Sequence, residues 1–193
     1  PMKQSLFTME HARQLTADTY ELVLSGDTSA ITAPGQFVNI QLPGKFLRRP
    51  ISICNWTKDA LLLLVRVVGE GTHDLVRCVP GTELDVLSGL GNGFDLAKGG
   101  AHPILLGGGI GIAPLYGLAQ RMLEAGIAPT VGLGFRSGGD AFYLEEFGKL
   151  GCRLMVATED GSLGTKGFVT DLARHVPECG YAFVCGPTPM LKA

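Results

Sequence analysis

The sequence lacks the concentrated charge with which proteins bind nucleic acids or anionic membranes. Only 18% of its 193 residues are charged, the formal net charge is −2, and no cluster of Lys and Arg is longer than the Arg48-Arg49 pair. Binding to a polyanion needs a basic patch or stripe. The composition therefore argues against a nucleic-acid-binding or membrane-surface protein.

The sequence also lacks a cysteine pattern and a recognisable leader. No C-x-x-C motif and no histidine at zinc-like spacing accompanies its five cysteines, which are Cys54, Cys78, Cys152, Cys179 and Cys185. An odd number without a pattern indicates reduced thiols and no metal site. Because no basic segment followed by an apolar one opens the sequence, we expect a cytoplasmic protein.

One long stretch lacks charge altogether. Between Gly99 and Gln120 there is no Asp, Glu, Lys or Arg, which superficially resembles a membrane span. Seven glycines and two prolines in this stretch indicate a buried turn between a strand and a helix instead.

Hydrophobic residues make up 46% of the chain, as in globular proteins, and their pattern changes near residue 98. Before it, short apolar or alternating runs predict six strands. These are Leu6–Met9, Thr19–Leu24, Gln36–Leu42, Pro50–Cys54, Leu61–Val68 and Glu83–Leu87. They predict a small closed barrel or a sandwich, with one short helix over Gly71–Cys78 that has Thr72 as its N-cap.

Beyond Lys98 strands and helices alternate, which predicts a parallel sheet with right-handed crossovers. The predicted strands are Ile104–Leu106, Thr130–Phe135, Arg153–Ala157 and Ala182–Val184. The predicted helices are Leu115–Glu124, Leu144–Leu150 and Phe168–His175. A further helix is expected to begin after Pro189, so we expect the native chain to continue beyond Ala193.

A glycine-rich segment joins the first predicted strand of this second part to its helix. Glycine occupies positions 107, 108, 109 and 111, and Pro114 suits the first helical turn. Glycines at such a turn let main-chain N–H groups approach a phosphate, which the helix dipole also favours. The spacing is not a strict G-x-G-x-x-G, and a glycine-rich packing turn is the alternative.

The run Arg49-Pro50-Ile51-Ser52 is the second informative element. Arginine on a strand can present a bidentate fork to a phosphate, although a solvated arginine before an edge strand has the same pattern. Gly71-Thr72 either receives a phosphate at the start of the short helix or simply begins an ordinary capped helix.

Two turns follow strands of the parallel sheet, where ligands bind. Cys185-Gly186-Pro187 ends the last strand, and its sulfur either lies near a nicotinamide or flavin ring or is a small buried hydrophobe. Asp160-Gly161-Ser162 follows the third strand and either reaches a ligand or forms a plain turn.

Together these elements resemble the ferredoxin–NADP reductase superfamily, in order and spacing, over nearly the whole chain. The resemblance implies a β plus α/β protein of two domains. Residues 1–98 would form an FAD-binding, six-stranded antiparallel Greek-key barrel, and residues 99–193 a parallel-sheet NAD-binding domain. The segments Arg49–Ser52, Arg66–Thr72, Leu90–Phe94 and Thr158–Ser162 most resemble one group of members, the electron transfer subunits of dihydroorotate dehydrogenase B.

The resemblance implies a role for each matching residue. Arg49 would pair with the FAD pyrophosphate and Ser52 would approach the isoalloxazine, with Pro50 and Ile51 on the same strand. The flavin's nucleotide portion would be lined by Leu64, Val65 and Arg66, and its phosphates capped by Gly71 and Thr72. The NAD pyrophosphate would meet Gly107, Gly108, Gly109, Ile110, Gly111 and Pro114. The nicotinamide would lie beside Cys185, Gly186 and Pro187.

The implied activity is electron transfer from an FMN-bearing dihydroorotate dehydrogenase catalytic subunit, through a [2Fe–2S] cluster and FAD, to NAD⁺ in pyrimidine biosynthesis. A heterotetramer is implied, and the four cluster cysteines are absent from this sequence. Because hydride transfer needs no acid or base, no proton-transfer residue is predicted. Arg136 favours NADP and Asp140 opposes it; the resemblance favours NAD.

Two other functions fit the same motifs. One is a different reductase subunit of the superfamily, of the sulfide dehydrogenase or ferredoxin:NADP oxidoreductase type. The other is a non-enzymatic nucleotide-binding redox sensor, against which the Arg49–Ser52 strand argues because such a sensor needs no flavin site.

Overall fold

The computed structural model describes residues 1–191, apart from the side chain of Pro189, as two compact units. The first is Pro1–Phe94 and the second begins at Asp95. This division lies slightly before the predicted boundary at residue 98. Asp95 accepts a hydrogen bond from the main-chain N–H of Ala97 (3.1 Å) and caps the 3₁₀ helix Leu96–Gly99, so it belongs structurally with the second unit.

The first unit is a closed barrel of six antiparallel strands in the order β1-β2-β5-β4-β3-β6, which confirms the predicted fold. Its elements are β1 (Lys3–Gln14), β2 (Thr19–Gly26), β3 (Phe37–Gln41), β4 (Arg49–Trp56), β5 (Ala60–Arg66), α1 (Glu70–Val76) and β6 (Glu83–Leu90). All six predicted strands are present, most of them longer than predicted.

The barrel interior is filled by alternate residues of each strand, because side chains on a strand point to opposite faces with a period of two. The most deeply buried are Phe7, Met9, Leu22, Leu24, Val38, Ile40, Leu61, Leu63, Leu84 and Val86. Full burial of such a side chain stabilises the fold by about 1.5–3 kcal/mol. This alternation fixes which residues of β4 and β5 can face a ligand.

The second unit is built on a parallel sheet in the order β10-β9-β8-β7-β11. Its elements are β7 (Ile104–Gly108), α2 (Ala113–Glu124), β8 (Thr130–Phe135), α3 (Leu144–Leu150), β9 (Arg153–Thr158), β10 (Thr165–Lys166), β11 (Ala182–Cys185) and α4 (Thr188–Leu191). Besides Leu96–Gly99, its 3₁₀ helices are Gly109–Ile112, Gly138–Asp140 and Val169–His175. The predicted alternation of strands and helices is confirmed.

Three sequence predictions need correction. The helix predicted over Phe168–His175 is a 3₁₀ helix that begins at Val169, and the two-residue strand β10 was not predicted. The N-cap of α1 is Gly69 rather than Thr72, which lies in the first turn. No helix within residues 1–191 is long and apolar enough to cross a bilayer.

Candidate functional site

The ladder between β4 and β5 is incomplete. β4 pairs with β5 only from Ile53 onward, opposite Leu63, whereas Arg49–Ser52 pairs with β3 alone. Beyond Leu63, Leu64–Arg66 pairs only with β2. The barrel is therefore open between these two stretches, and the structure brings two of the predicted flavin segments to opposite sides of one gap.

The guanidinium of Arg49 lies against the start of α1. A Cβ atom on Gly71 would be 2.5 Å from Arg49 Cζ and 2.5 Å from its Nη2, so any larger residue there would displace the guanidinium. Arg49 Nη1 donates a hydrogen bond to the carbonyl of Leu47 (2.6 Å). In the part of the chain that the structure describes, no carboxylate pairs with Arg49. The gap therefore carries a positive charge without a counterion.

The neighbouring Arg48 is used differently. Its Nη1 donates to the carbonyls of Asn39 (3.2 Å) and Asp85 (3.1 Å), and its Nη2 lies 3.0 Å from Asp85 Oδ1. These contacts tie β3 to β6 and leave the charge of Arg48 neutralised. Of the adjacent pair, Arg49 is the side chain available to an external anion, a distinction that the sequence alone did not make.

Of the other three residues in the run Arg49–Ser52, only Ser52 presents a polar side chain to the gap. Ile51 is buried in the barrel core, whereas Pro50 and Ser52 are exposed. Ile53 donates its N–H to the carbonyl of Gln36, beside β3 (3.0 Å). Because successive residues of a strand direct their N–H groups to opposite sides, the main chain at Pro50 and Ser52 faces the open side. The missing N–H of Pro50 thus costs no ladder bond.

Across the gap, β5 offers mainly its main chain. Val65 belongs to the barrel core and Leu64 is also buried. Arg66 Nε donates to Asp18 Oδ2 (2.8 Å). Burial by itself would raise the pKa of Asp18, but the hydrogen bond from Arg66, together with those from the hydroxyls of Thr19 and nearby Thr16, holds the pKa below its usual range.

The first turn of α1 is held from two directions. Thr72 Oγ1 accepts the N–H groups of Val68 (3.0 Å) and Gly69 (3.3 Å) and donates to the carbonyl of Gly69, so its hydroxyl is already engaged. Lys45 Nζ lies 3.1 Å from Asp74 Oδ2 and also bonds to the Glu70 carboxylate. The hydrogen bonds that Lys45 donates to Glu70 and, to a smaller extent, to Asp74 raise the pKa of Lys45.

In the second unit the glycines of the loop after β7 have separate functions. A Cβ on Gly107 would meet Ile112 and Leu115 at 2.9 Å, and one on Gly111 would lie 2.6 Å from the carbonyl carbon of Cys185. Gly109 has φ +52° and no atom within 4 Å of a Cβ position. Packing therefore explains Gly107 and Gly111, while Gly109 leaves main chain accessible.

The turn after β11 packs directly on this loop. Cys185 is the register partner of Gly107, and a Cβ on Gly186 would lie 2.7 Å from Met190 Sδ. Burial raises the pKa of the Cys185 thiol, which favours the neutral form. Pro187 is exposed, and its carbonyl accepts the N–H of Met190 (2.9 Å) at the start of α4. The two predicted nicotinamide-dinucleotide segments are therefore adjacent.

The loops after β8 and β9 are also connected. Ser162 Oγ accepts the N–H of Gly138 (2.7 Å) and lies 2.6 Å from Asp160 Oδ1. Ser137 Oγ donates to Asp140 Oδ2 (2.9 Å), and Arg136 Nη2 is 4.0 Å from Asp140 Oδ1. Sequence reasoning missed this connection, because it depends on the neighbouring positions of β8 and β9 in the sheet.

No group of three His, Cys, Asp or Glu side chains within residues 1–191 is arranged to hold a metal ion. The contacts described above define two candidate sites, one at the gap in the barrel and one at the glycine loop of the parallel sheet.

Comparison with known proteins identifies relatives along the full chain. The oxidoreductase NAD-binding domain family matches residues 105–193. An electron transfer subunit of dihydroorotate dehydrogenase B (NAD(+)) from Shouchella clausii is 43% identical over 200 residues, which cover 99% of this chain and 77% of that protein. The corresponding subunit from Listeria monocytogenes is 40% identical, covering 100% of this chain and 78% of that protein.

Solved structures have the same fold. An NADH-dependent reduced ferredoxin-NADP oxidoreductase, studied for flavin-based electron bifurcation, has 31% identity and a TM-score of 0.86 over 97% of this chain and 70% of that one. A ferredoxin–NADP⁺ reductase from Neisseria gonorrhoeae, with bound FAD and NADP, has a TM-score of 0.84 over 98% of this chain and 88% of that one. At 15% identity, the second supports the fold alone.

Proposed function

Because the chain belongs to the family of the electron transfer subunits of dihydroorotate dehydrogenase B (NAD(+)), we propose that it passes electrons from a dihydroorotate-oxidising partner through FAD to NAD⁺. The chain is a flavin-dependent NAD(H) oxidoreductase subunit. In this proposal the partner is the FMN-bearing catalytic subunit, the assembly is a heterotetramer, and the reaction serves pyrimidine biosynthesis.

The observation that carries the proposal is the position of the Arg49 guanidinium, held against Gly71 at the open side of the barrel. A guanidinium without a carboxylate partner fits the pyrophosphate of FAD, which accepts bidentate, charge-assisted hydrogen bonds. Ser52 lies three residues along β4, about 10 Å away by strand geometry. Its hydroxyl and N–H would then meet the flavin end of the cofactor.

Each remaining flavin segment contributes in a more limited way. The buried side chains of Leu64 and Val65 leave only their main chain for the nucleotide portion, and Thr72 offers its N–H rather than its engaged hydroxyl. Arg66 is held in an ion pair with Asp18. Lys45 ties α1 to the loop between β3 and β4 through Glu70 and Asp74.

The second unit would bind NAD(H). The accessible main chain at Gly109 and the first turn of α2, with Pro114, would receive the pyrophosphate. Cys185 would lie beside the nicotinamide as a neutral thiol, because burial raises its pKa. When bound, FAD exchanges electron pairs with nicotinamides and single electrons with one-electron carriers. The residues of this chain bind and orient the two cofactors and supply no acid or base.

The proposal places a [2Fe–2S] cluster between the partner and FAD, on cysteines outside these 193 residues. Within residues 1–191 the structure has five free cysteines, which are Cys54, Cys78, Cys152, Cys179 and Cys185. The Shouchella clausii relative is also longer than this chain, which covers 77% of it.

The test is to purify the protein, record its visible absorption and titrate it anaerobically with NADH. We expect a yellow protein whose flavin absorption is bleached by NADH. Dihydroorotate should bleach the flavin only after the catalytic subunit has been added. A colourless protein that binds NADH but no FAD would identify a nucleotide sensor, and bleaching by dihydroorotate without a partner would refute the subunit assignment.

A further inference from the structure

We infer that Asn92 is a further flavin-contacting residue, whose side-chain amide hydrogen-bonds the polar edge of the isoalloxazine ring. The inference rests on the proposed binding of FAD in the barrel. It concerns the segment Leu90–Phe94, to which the proposed function assigns no role. Its basis is threefold: a bulge in β6, the contacts that hold the three residues after β6 (Gly91–Gly93, here called the tip), and the register of the strands.

A bulge shifts the pairing register at the end of β6. Asn39 pairs with Leu87, but Phe37, two residues earlier on β3, pairs with Leu90, three residues later on β6. The extra residue coincides with Gly89 at φ +70°, where a Cβ would lie 2.8 Å from the carbonyl oxygen of Ala30. Bulges of this kind redirect the following residues and are frequent next to active sites.

The tip after the bulge is held rigidly. Gly91 has φ +82° and Gly93 has φ +74°, and a Cβ on Gly93 would lie 2.6 Å from Ala33 Cβ. Gln36 Nε2 donates to the carbonyl of Gly91 (3.1 Å), and the N–H of Phe94 donates to the carbonyl of Pro34 (2.7 Å). A glycine on each side in the left-handed region fixes the direction in which the residue between them points.

Strand register places this tip at the level of Ser52. Phe37 is the register partner of Ser52 on one side and of Leu90 on the other. The three residues therefore form a row across β4, β3 and β6, and Asn92 follows two residues later. Neighbouring strands are about 4.8 Å apart, so the row spans roughly 10 Å, comparable to the length of a three-ring flavin.

The chemistry of Asn92 matches that edge. Its side chain is exposed, and within the described part of the chain it makes no hydrogen bond. The pyrimidine end of a flavin has an N–H donor between two carbonyl acceptors, and a carboxamide offers both an acceptor and donors. Because the main chain on both sides of Asn92 is already fixed, ordering it costs no further entropy on binding, which makes this a favourable position for such a contact.

The test measures the dissociation constant for FAD, the visible spectrum of the bound flavin and its midpoint potential. Asn92→Ala should weaken FAD binding roughly two- to tenfold, the range for one lost hydrogen bond, and shift the flavin absorption bands. Asn92→Asp should make the midpoint potential more negative, because a carboxylate beside the ring disfavours the reduced anion. Gln120→Ala, which removes a half-buried amide from α2, should leave all three quantities unchanged.

Arg49→Ala distinguishes failure of this inference from failure of the proposed function. If Arg49→Ala weakens FAD binding while both Asn92 variants keep the wild-type affinity, spectrum and potential, Asn92 does not contact the flavin. If the unmodified protein binds no FAD, the proposed function fails and the inference fails with it.

Discussion

The two units build their candidate sites from different parts of the chain. In the barrel the important group is a side chain, Arg49, for which Gly71 makes room. In the parallel sheet it is the main chain, left accessible at Gly109 and supported where Gly111 packs on Cys185. A barrel positions side chains by strand register, whereas a parallel sheet brings its loops together at one edge. Substitutions should therefore affect the two sites in different ways.

The largest effect on folding stability should come from Gly111→Ala. The new Cβ would lie 2.6 Å from the carbonyl carbon of Cys185, so two main-chain segments must move apart, at a cost of about 1–3 kcal/mol. Chemical denaturation should show this loss in the far-UV circular dichroism, while fluorescence of the single tryptophan, Trp56 in β4, reports on the barrel. Gly148→Ala is the matched control, because nothing lies within 4 Å of its Cβ position. Equal stability of the two variants would contradict the packing function of Gly111.

In the barrel, Arg49→Ala should weaken FAD binding about ten- to a hundredfold, since a charge-assisted contact contributes about 1.5–3 kcal/mol. Gly71→Ala should have a similar effect by displacing the guanidinium. Gly69→Ala is the control, because its φ of −175° suits any residue and its Cβ position is open. Flavin fluorescence titrations measure all three. Wild-type affinity in Arg49→Ala would place the pyrophosphate elsewhere.

Gly109→Val tests whether the main-chain loop serves the nicotinamide nucleotide. Valine at φ +52° is strained and projects into the open side of the loop. Flavin content should stay normal while stopped-flow reduction by NADH slows about 5- to 150-fold, an effect of roughly 1–3 kcal/mol. Gly180→Val, at an open position without positive φ, is the control. Loss of flavin with normal NADH binding would mean that the two sites are exchanged.

A smaller effect is expected from Asp140→Asn. The carboxylate of Asp140 lies beside Ser137 and Arg136, and we propose that its charge opposes a 2′-phosphate on the coenzyme. The variant should reduce the preference for NADH over NADPH several-fold, as measured by the ratio of kcat/KM values, while Arg136→Ala should increase it. An unchanged ratio in both variants would exclude this loop from coenzyme selection. Asp140 would act through its side chain although it belongs to the parallel-sheet unit. A changed ratio would therefore show that this unit does not rely on its main chain alone.

The smallest effect concerns the ion pair between Arg66 and Asp18. The pKa of Asp18 is lowered in the folded protein, so its ionised form contributes stability above its unfolded pKa of about 4 and loses it as pH falls through the folded value. Arg66→Met should therefore unfold more readily than wild type at pH 7, and the difference should shrink below about pH 4. Urea denaturation at several pH values measures this, and a difference independent of pH would contradict it.

Local sequence signals predicted much of this molecule. Turns depend on residues that are adjacent in sequence, so their positions are predictable. The barrel strands are separated by turns at Pro34-Gly35, Pro43-Gly44 and Pro80-Gly81, and the glycines after β7 indicate the crossover to α2. It was not predictable that Arg48 would be neutralised by an ion pair while Arg49 would have no carboxylate partner. This difference depends on Asp85 and Gly71, which lie far along the chain and meet these arginines only through folding.

The capping function of Thr72 was misassigned for a similar reason. A threonine near a helix start can cap from the N-cap position or reach backward from the first turn, and the sequence does not distinguish the two. Gly69, which lacks a side-chain acceptor, occupies the cap, and Thr72 supplies the missing oxygen. The binding assignments of Leu64–Arg66 and of Gly107–Gly111 stay predictions until ligands are titrated.

The interrupted ladder between β4 and β5 has a consequence for the protein without its cofactor. A closed barrel hides its strand edges, but here the stretch Arg49–Ser52 has an edge with no neighbouring strand. Such edges are templates for pairing with another chain and are points of entry to aggregation. We expect the apoprotein to self-associate on warming, and its Ser52 amide to exchange rapidly with deuterium. Added FAD should suppress both, acting on solubility as well as on electron transfer.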